Sequence, residues 1–346
     1  MTLDTLKRIL SSDLTGAEAA PAPGSLEPLE VLRALELAQR NKLTSLFCRS
    51  ASQNKEFSYD LKDVFESEKN RAVQINSTHL ISIAKYASIF KRSGIEYIFY
   101  KGPLSQFKLH NTYFLRGTAD IDIYVAPKSY GAVSKLLVDN GLTLPAELKR
   151  FWWWGVLGEQ HFVVNEGIGS FDLHNQLQQP GAPSPRRPER FIEHAESMKL
   201  GDSEVRVPSL VHMLLISAMN LVKGMQHKEP TGCHAYDLLI GLSALSETQK
   251  GELWKEAVSQ GVEPTLTLAI FAAHQAFGLP EPVSKRFERL RASKIAFDRM
   301  VLEPAHSELS EVRRRHILEL LVSNQASFAY ESARWLSSEA IRLLRF

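Results

Sequence analysis

The stretch from Ile95 to Val125 constrains the fold more than any other, because it reads as strand, glycine turn, helix, loop and strand in one short run. The second strand carries Asp120 and Asp122 two residues apart. Strand side chains alternate faces, so both carboxylates leave the same face, roughly 6 to 7 Å apart along the chain. Ile121, Ile123 and Val125 point the other way, and burying them would hold the acidic pair rigidly at the surface of a cleft.

Two neighbouring features add chemistry to that pair. Lys101-Gly102-Pro103 ends the first strand and opens a short helix, Leu104 to His110. A helix start can hold an anion through its unpaired N–H donors and dipole, with Lys101 adding a point charge; a plain strand-to-helix turn is the alternative. Further on, His161 to Asn165 and Ser170 to Leu173 flank Glu166-Gly167-Ile168-Gly169 and read as a hairpin. Asp172 and His174 share one face of its second strand, which offers a third carboxylate beside the first two. His174 is expected to orient a neighbour or to pack in a core rather than to ligate a metal.

Composition narrows the class. A chain of 346 residues implies about two domains, and 44% apolar content supplies an ample core. Basic and acidic residues nearly balance, 41 against 39, so no extended nucleic-acid footprint is expected and anion recognition must be local. Cys48 and Cys233 form no paired spacing, which points to a reducing compartment, the cytoplasm, and away from a disulfide framework or a cysteine zinc site. The N-terminus lacks the features of a secretory signal. The longest apolar run, Val211 to Val222, is interrupted by His212, Ser217 and Asn220 and is too short to cross about 30 Å of hydrocarbon.

Around the Asp-x-Asp strand the chain reads as helix. Pro28 to Ser50 has helical periodicity, and Phe57 to Arg92 continues it until Ser93-Gly94 stops it. A small-residue loop with two prolines, residues 16–25, precedes them. Lys128 to Asn140 reads as an amphipathic helix, and the aromatic cluster Phe151 to Trp154 is assigned to the core. Gln178 to Pro188, rich in proline, reads as a linker or long loop. Everything beyond it is expected to be α-helical. The expected organisation is therefore α+β: an N-terminal helical segment (1–70), a core with a small mixed sheet (71–180) and a C-terminal helical domain (189–346). Arg313, Arg314, Arg315, Arg334, Arg342 and Arg345 make the C-terminal helices basic; solvated helix faces explain such runs, with an RNA or anionic surface as the alternative.

Two carboxylates on one strand face with a third nearby match the needs of a pair of Mg²⁺ ions whose coordination phosphoryl oxygens complete. Asp120 and Asp122 would bridge the metals. Asp172 would hold the metal that activates an acceptor hydroxyl, or receive that hydroxyl's proton. The alternative is an ordinary exposed strand face. The flanks argue against a haloacid-dehalogenase-like phosphatase, since the loop Arg116-Gly117-Thr118-Ala119 rather than an apolar strand precedes the motif. Calcium loops lack support because no Gly and distal Glu follow at the required offsets. Sugar-nucleotide glycosyltransferases stay open.

The combination of a long helix, an apolar strand ending in Lys101-Gly102, then Arg116, Asp120-Ile121-Asp122-Ile123, and later Phe171-Asp172-Leu173-His174 resembles the uncharacterised nucleotidyltransferase family of the polymerase-β-like superfamily. The resemblance spans about residues 60 to 245, including Val207-Pro208-Ser209 and Tyr236-Asp237-Leu238; nucleotidyltransferase toxins of abortive-infection systems are similar too. It implies a nucleotidyltransferase-fold core, Asp120 and Asp122 as the metal pair, Asp172 as the third acidic position, and Lys101, Gly102 and Arg116 near the phosphates of an NTP. The implied reaction is Mg²⁺- or Mn²⁺-dependent transfer of an NMP from an NTP to an acceptor hydroxyl on a small molecule, peptide or protein. The alternatives are an inactive scaffold of the same fold or a toxin acting on RNA. Two positions depart from the pattern: Pro103 replaces the usual Ser after Gly102, and Lys223 is displaced from the toxins' lysine position.

Overall fold

The computed structural model describes residues 2–15, 28–52, 58–164, 169–293, 295–304, 313–322 and 325–344. The small-residue loop at 16–25, most of the hairpin loop at 165–168 and Arg345 lie outside them. Two compact units are present, one built from Arg71–Met213, Val258–Gly261 and Tyr330–Phe346, the other from Met1–Asn70, Leu214–Ala257 and Val262–Ala329. Among the described residues no helix is long and apolar enough to cross a membrane.

The first unit is α+β. Its sheet has the order β1-β2-β5-β4-β3, with β1 Tyr97–Phe99, β2 Asp120–Val125, β3 Leu142–Thr143, β4 Glu159–Val164 and β5 Ser170–His174. β2 and β5 are parallel; the other neighbours are antiparallel. One sheet face carries Phe99, Ile121, Ile123, Phe162, Phe171 and Leu173 into a continuous core. The helix Ser58–Arg92 covers it because its buried positions Ala72, Asn76, His79, Ile83, Tyr86 and Phe90 recur every three or four residues, the period of one helix face. That helix ends at Ser93-Gly94, where Gly94 takes φ 64° and Ile95 N–H bonds back to Phe90 O at 3.0 Å. The helix Tyr130–Asp139 adds Tyr130, Val133 and Leu137 to the same core.

Two expectations are corrected in this unit, and the long loop expected at Gln178 to Pro188 is present. A hairpin, β6 Glu196–Leu200 and β7 Ser203–Val207, stands in the half expected to be wholly helical. Val205 and Val207 enter the sheet's core cluster, and Gly201 supplies the positive φ that its turn requires. The aromatic segment is not core: it forms a wide turn, Trp152–Leu157, with Phe151 63% and Trp154 39% exposed. Gly155 lies under the Phe151 ring, where a Cβ would come within 2.3 Å of a ring carbon, so a larger residue there would displace the ring. The proline-rich stretch is irregular but packed, with Leu177, Gln178 and Ala182 buried and Arg186 N–H bonded to Gln260 O.

The second unit is helical. The helix Thr2–Thr15 packs against Pro28–Arg40, and Gly232–Ala244 and Phe297–Leu302 both pack against Glu263–Ala276. The helix expected from Pro28 to Ser50 breaks at Asn41-Lys42-Leu43 and resumes as Thr44–Ser52. Asn41 causes the break. Its buried amide donates to Leu37 O and Leu302 O, a local alternative to helix propagation, and Lys42 follows with φ 56°.

Candidate active site

The sheet face opposite the core gathers the polar residues. In the β2–β5 register Asp120 stands beside Ser170, Asp122 beside Asp172, and Tyr124 beside His174. The β4 register adds His161 beside Asp172 and Glu159 beside His174. Period-two alternation thus turns three strand segments into one acidic and imidazole surface. Asp122, Asp172 and His174 each offer a ligand atom, all within 4.8 Å of one another, and all three are buried. Asp120 is half-buried, one pleat repeat away.

Charges here are matched atom by atom. Lys101, at the end of β1, places Nζ 2.7 Å from Asp122 Oδ1, and His174 Nε2 lies 3.1 Å from the same oxygen. Burial alone would raise the Asp122 carboxyl, but the Lys101 ammonium and the His174 hydrogen bond outweigh it and hold the group well below the usual carboxylate range. Burial would likewise lower Lys101, yet the Asp122 carboxylate holds it well above its ordinary value. His161 Nδ1 sits 2.6 Å from Asp172 Oδ1, and that hydrogen bond raises His161 against the opposing effect of burial. Gln179 Nε2 donates to Glu159 Oε1 at 2.6 Å.

Tyr100 closes the floor of the site. Its ring meets His174 edge-on at 5.4 Å and carries Lys101 Nζ 4.9 Å above it. Burial pushes its phenol well above the ordinary value and so keeps it protonated, and Oη has no hydrogen-bond partner among the described residues. A buried donor of this kind suits a site that receives an oxygen-rich ligand. The donor set fits a divalent cation as well: Mn²⁺ accepts the mixed carboxylate and imidazole set, and Mg²⁺ suits the two carboxylates with His174 as their hydrogen-bonding neighbour.

The residues expected from sequence fall as follows. Asp122 and Asp172 come together, with Asp120 on the same face; Lys101 contacts Asp122 directly. Gly102 has φ 74°, so another residue there would be strained, and Pro103 begins the helix Pro103–His110. Arg116 lies in the loop entering β2. His161 and Glu159 were not singled out by sequence; their Glu-x-His alternation is visible, but its meaning depends on the β4–β5 register. Apart from these residues, Tyr130, Ser134, Lys149, Phe151, Trp154 and Gln160 line a cavity of 580 Å³.

A model of a family described as uncharacterised nucleotidyltransferase matches residues 27–278. No curated protein matches the chain.

Proposed function

Because the chain belongs to the uncharacterised nucleotidyltransferase family, we propose that it transfers an NMP from an NTP to an acceptor hydroxyl, with Mg²⁺ or Mn²⁺ bound and pyrophosphate leaving. The observation that carries this reading is the buried pairing of Asp122 with Asp172 beside His174. Asp120, Asp122 and Asp172 would hold the metal. Bound divalent ions would neutralise charge on the phosphoryl oxygens and lower the pKa of an attacking hydroxyl.

The chain's own groups supply the rest. Lys101, Gly102 and Arg116 serve the phosphates: Arg with a bidentate grip, Lys as a compact charge already poised beside Asp122. Asp172 is assigned the acceptor's proton, and His161, hydrogen-bonded to its Oδ1, keeps that carboxylate oriented. Tyr100 Oη, buried beside His174 and Lys101 with no hydrogen-bond partner among the described residues, is assigned as an O–H donor to a ligand oxygen. We place the transferase core in residues 71–180 and the activity in the cytoplasm, where the buried thiols Cys48 and Cys233 would stay reduced.

Pro103 favours one competing reading, a scaffold that kept the fold without chemistry, since it removes both a hydroxyl and an N–H at the phosphate turn. Incubation with each labelled NTP and Mg²⁺ or Mn²⁺, against pooled small molecules, peptides and protein, tests the proposal. Label transfer abolished by Asp122→Asn is the expected result. Absence of both transfer and NTP binding would leave the scaffold.

A further inference from the structure

We infer that Asn76 and Gln106, two buried carboxamides on separate helices, are positioning residues that hold the Arg116 loop against the metal strand. The inference rests on the phosphate role proposed for Arg116.

The loop between the helix Pro103–His110 and β2 has no strand or helix partner for its backbone, and buried backbone groups must find partners. Side chains provide them. Arg116 O accepts from Asn76 Nδ2 and from Gln106 Nε2, both at 2.9 Å, and Arg116 N–H donates to Gln106 Oε1 at 3.0 Å. Asn76 Nδ2 also donates to Tyr113 O at 2.5 Å, while its Oδ1 accepts from Thr118 N–H at 3.1 Å and Thr118 Oγ1–H at 3.0 Å. Both donors and both lone pairs of one buried amide are therefore spent on this loop.

The restraint continues in both directions. His79, one turn along the helix from Asn76, has Nδ1 2.9 Å from Thr118 Oγ1. The Thr118 proton goes to Asn76, so His79 Nδ1 is the donor. On its other side His79 Nε2 faces Gly169, where a Cβ would come within 2.6 Å, at the start of the strand that carries Asp172. Thr118 in turn borders Gly102. One helix face thus holds the Arg116 loop by hydrogen bonds and packs closely against the β5 entry at Gly169. A carboxamide is required because its donors and acceptor are used at once; Asp, Glu or an apolar isostere satisfies only part of the set. Such restraint matters because a misplacement of about 1 Å in a binding group can cost about a hundredfold in rate.

The test measures binding of inorganic triphosphate with Mg²⁺ to the full chain by calorimetry, for wild type, Arg116→Ala, Gln106→Met and the double variant, with Asn76→Asp as a second probe should Gln106→Met fail to fold. The expected result is a loss of about tenfold for Gln106→Met in the wild-type background and almost none in the Arg116→Ala background. A purely structural role would lower the melting temperature equally in both backgrounds and leave the affinity of folded protein unchanged. Slow amide exchange at Arg116 and Thr118 in wild type, accelerated in either carboxamide variant, is expected independently of any ligand. If Arg116→Ala weakens binding and neither carboxamide variant does, the positioning role is overturned while the phosphate assignment stands. If Arg116→Ala changes nothing, the underlying phosphate reading fails and takes this inference with it.

Discussion

Asp122 on β2 and Asp172 on β5 stand directly opposite one another across a parallel strand pair, 3% and 5% exposed. Lys101 and His174 meet Asp122 Oδ1 and His161 meets Asp172 Oδ1, and a divalent cation would be shared by the two carboxylates. Asp122→Asn and Asp172→Asn should each weaken Mn²⁺-dependent NTP binding by at least about tenfold. Their stabilities should differ. Asp122→Asn leaves Lys101 without its carboxylate and should destabilise by about 1 to 3 kcal/mol, whereas half-buried Asp120→Asn should leave the melting temperature nearly unchanged. Equal nucleotide affinity in wild type, Asp122→Asn and Asp172→Asn would sink the metal assignment.

The His161–Asp172 contact makes a pH prediction. His161 is raised above its ordinary 6.5 by the hydrogen bond to Asp172. Its stabilising contribution is therefore fully present below about 6.5 and lost as pH rises through the higher folded value. Ring-proton titration by NMR should find His161 above 6.5 without metal and lower once Mg²⁺ engages Asp172. Titration at or below 6.5 in the metal-free protein would contradict the contact.

In the helical unit, Asn41 is the buried polar residue on which a stability prediction can be made. Its amide donates to Leu37 O at 2.9 Å and Leu302 O at 2.8 Å, and its Oδ1 accepts from Gly232 N–H at 2.9 Å, all buried. Asn41→Ala strands the Leu302 carbonyl and the Gly232 N–H, at about 1 to 3 kcal/mol each. Urea unfolding should show a loss of about 3 kcal/mol; a loss below about 1 would mean these bonds are replaced by water.

What could be read from sequence was whatever depends on local period. Ile121, Ile123 and Val125 alternate with two aspartates, and Ala72, Asn76, His79 and Ile83 follow a helix face, so β2, β5 and the long helix were legible without partners. What depends on register was not. Glu159 and His161 are ordinary alternating polar residues until β4 pairs with β5 and sets them beside His174 and Asp172. Lys101 was not legible as the partner of Asp122, because that pair is fixed across the β1–β2 boundary by Tyr100 N–H bonding to Asp122 O. Glu196 to Val207, by contrast, carried a local signal: Met198 and Leu200, then Val205 and Val207, alternate on either side of the two-residue turn Gly201-Asp202, and the helical reading of that half passed over it.

The alternative of an RNA-directed toxin makes its own prediction. Net charge is only +2, and Arg315 and Arg334 are already paired with Glu319 and Glu331 on their own helices. Non-specific nucleic-acid binding needs several phosphate contacts and falls steeply with salt. Gel shifts with RNA or DNA at physiological salt should show no sub-micromolar complex. Tight binding that collapses with added salt would promote the C-terminal arginines to a site.

The last prediction separates a working enzyme from a scaffold. Pro103 would forfeit a serine hydroxyl worth about 1 kcal/mol as a neutral donor, while charge-assisted bonds from Lys101 and Arg116 to a bound phosphate would contribute roughly 1.5 to 3 kcal/mol each. Lys101 is partly engaged by Asp122, so on the proposed reading the larger share of a phosphate grip would fall to Arg116, whose loop is held by Asn76 and Gln106. Even one such contact offsets the missing hydroxyl. Wild type should therefore bind at least one of ATP, CTP, GTP and UTP with Mg²⁺, and Arg116→Ala should lower that affinity by at least about tenfold, the equivalent of about 1.4 kcal/mol. Calorimetry that finds no heat with any of the four nucleotides would leave Arg116 nothing to grip, and the scaffold reading would replace the enzyme.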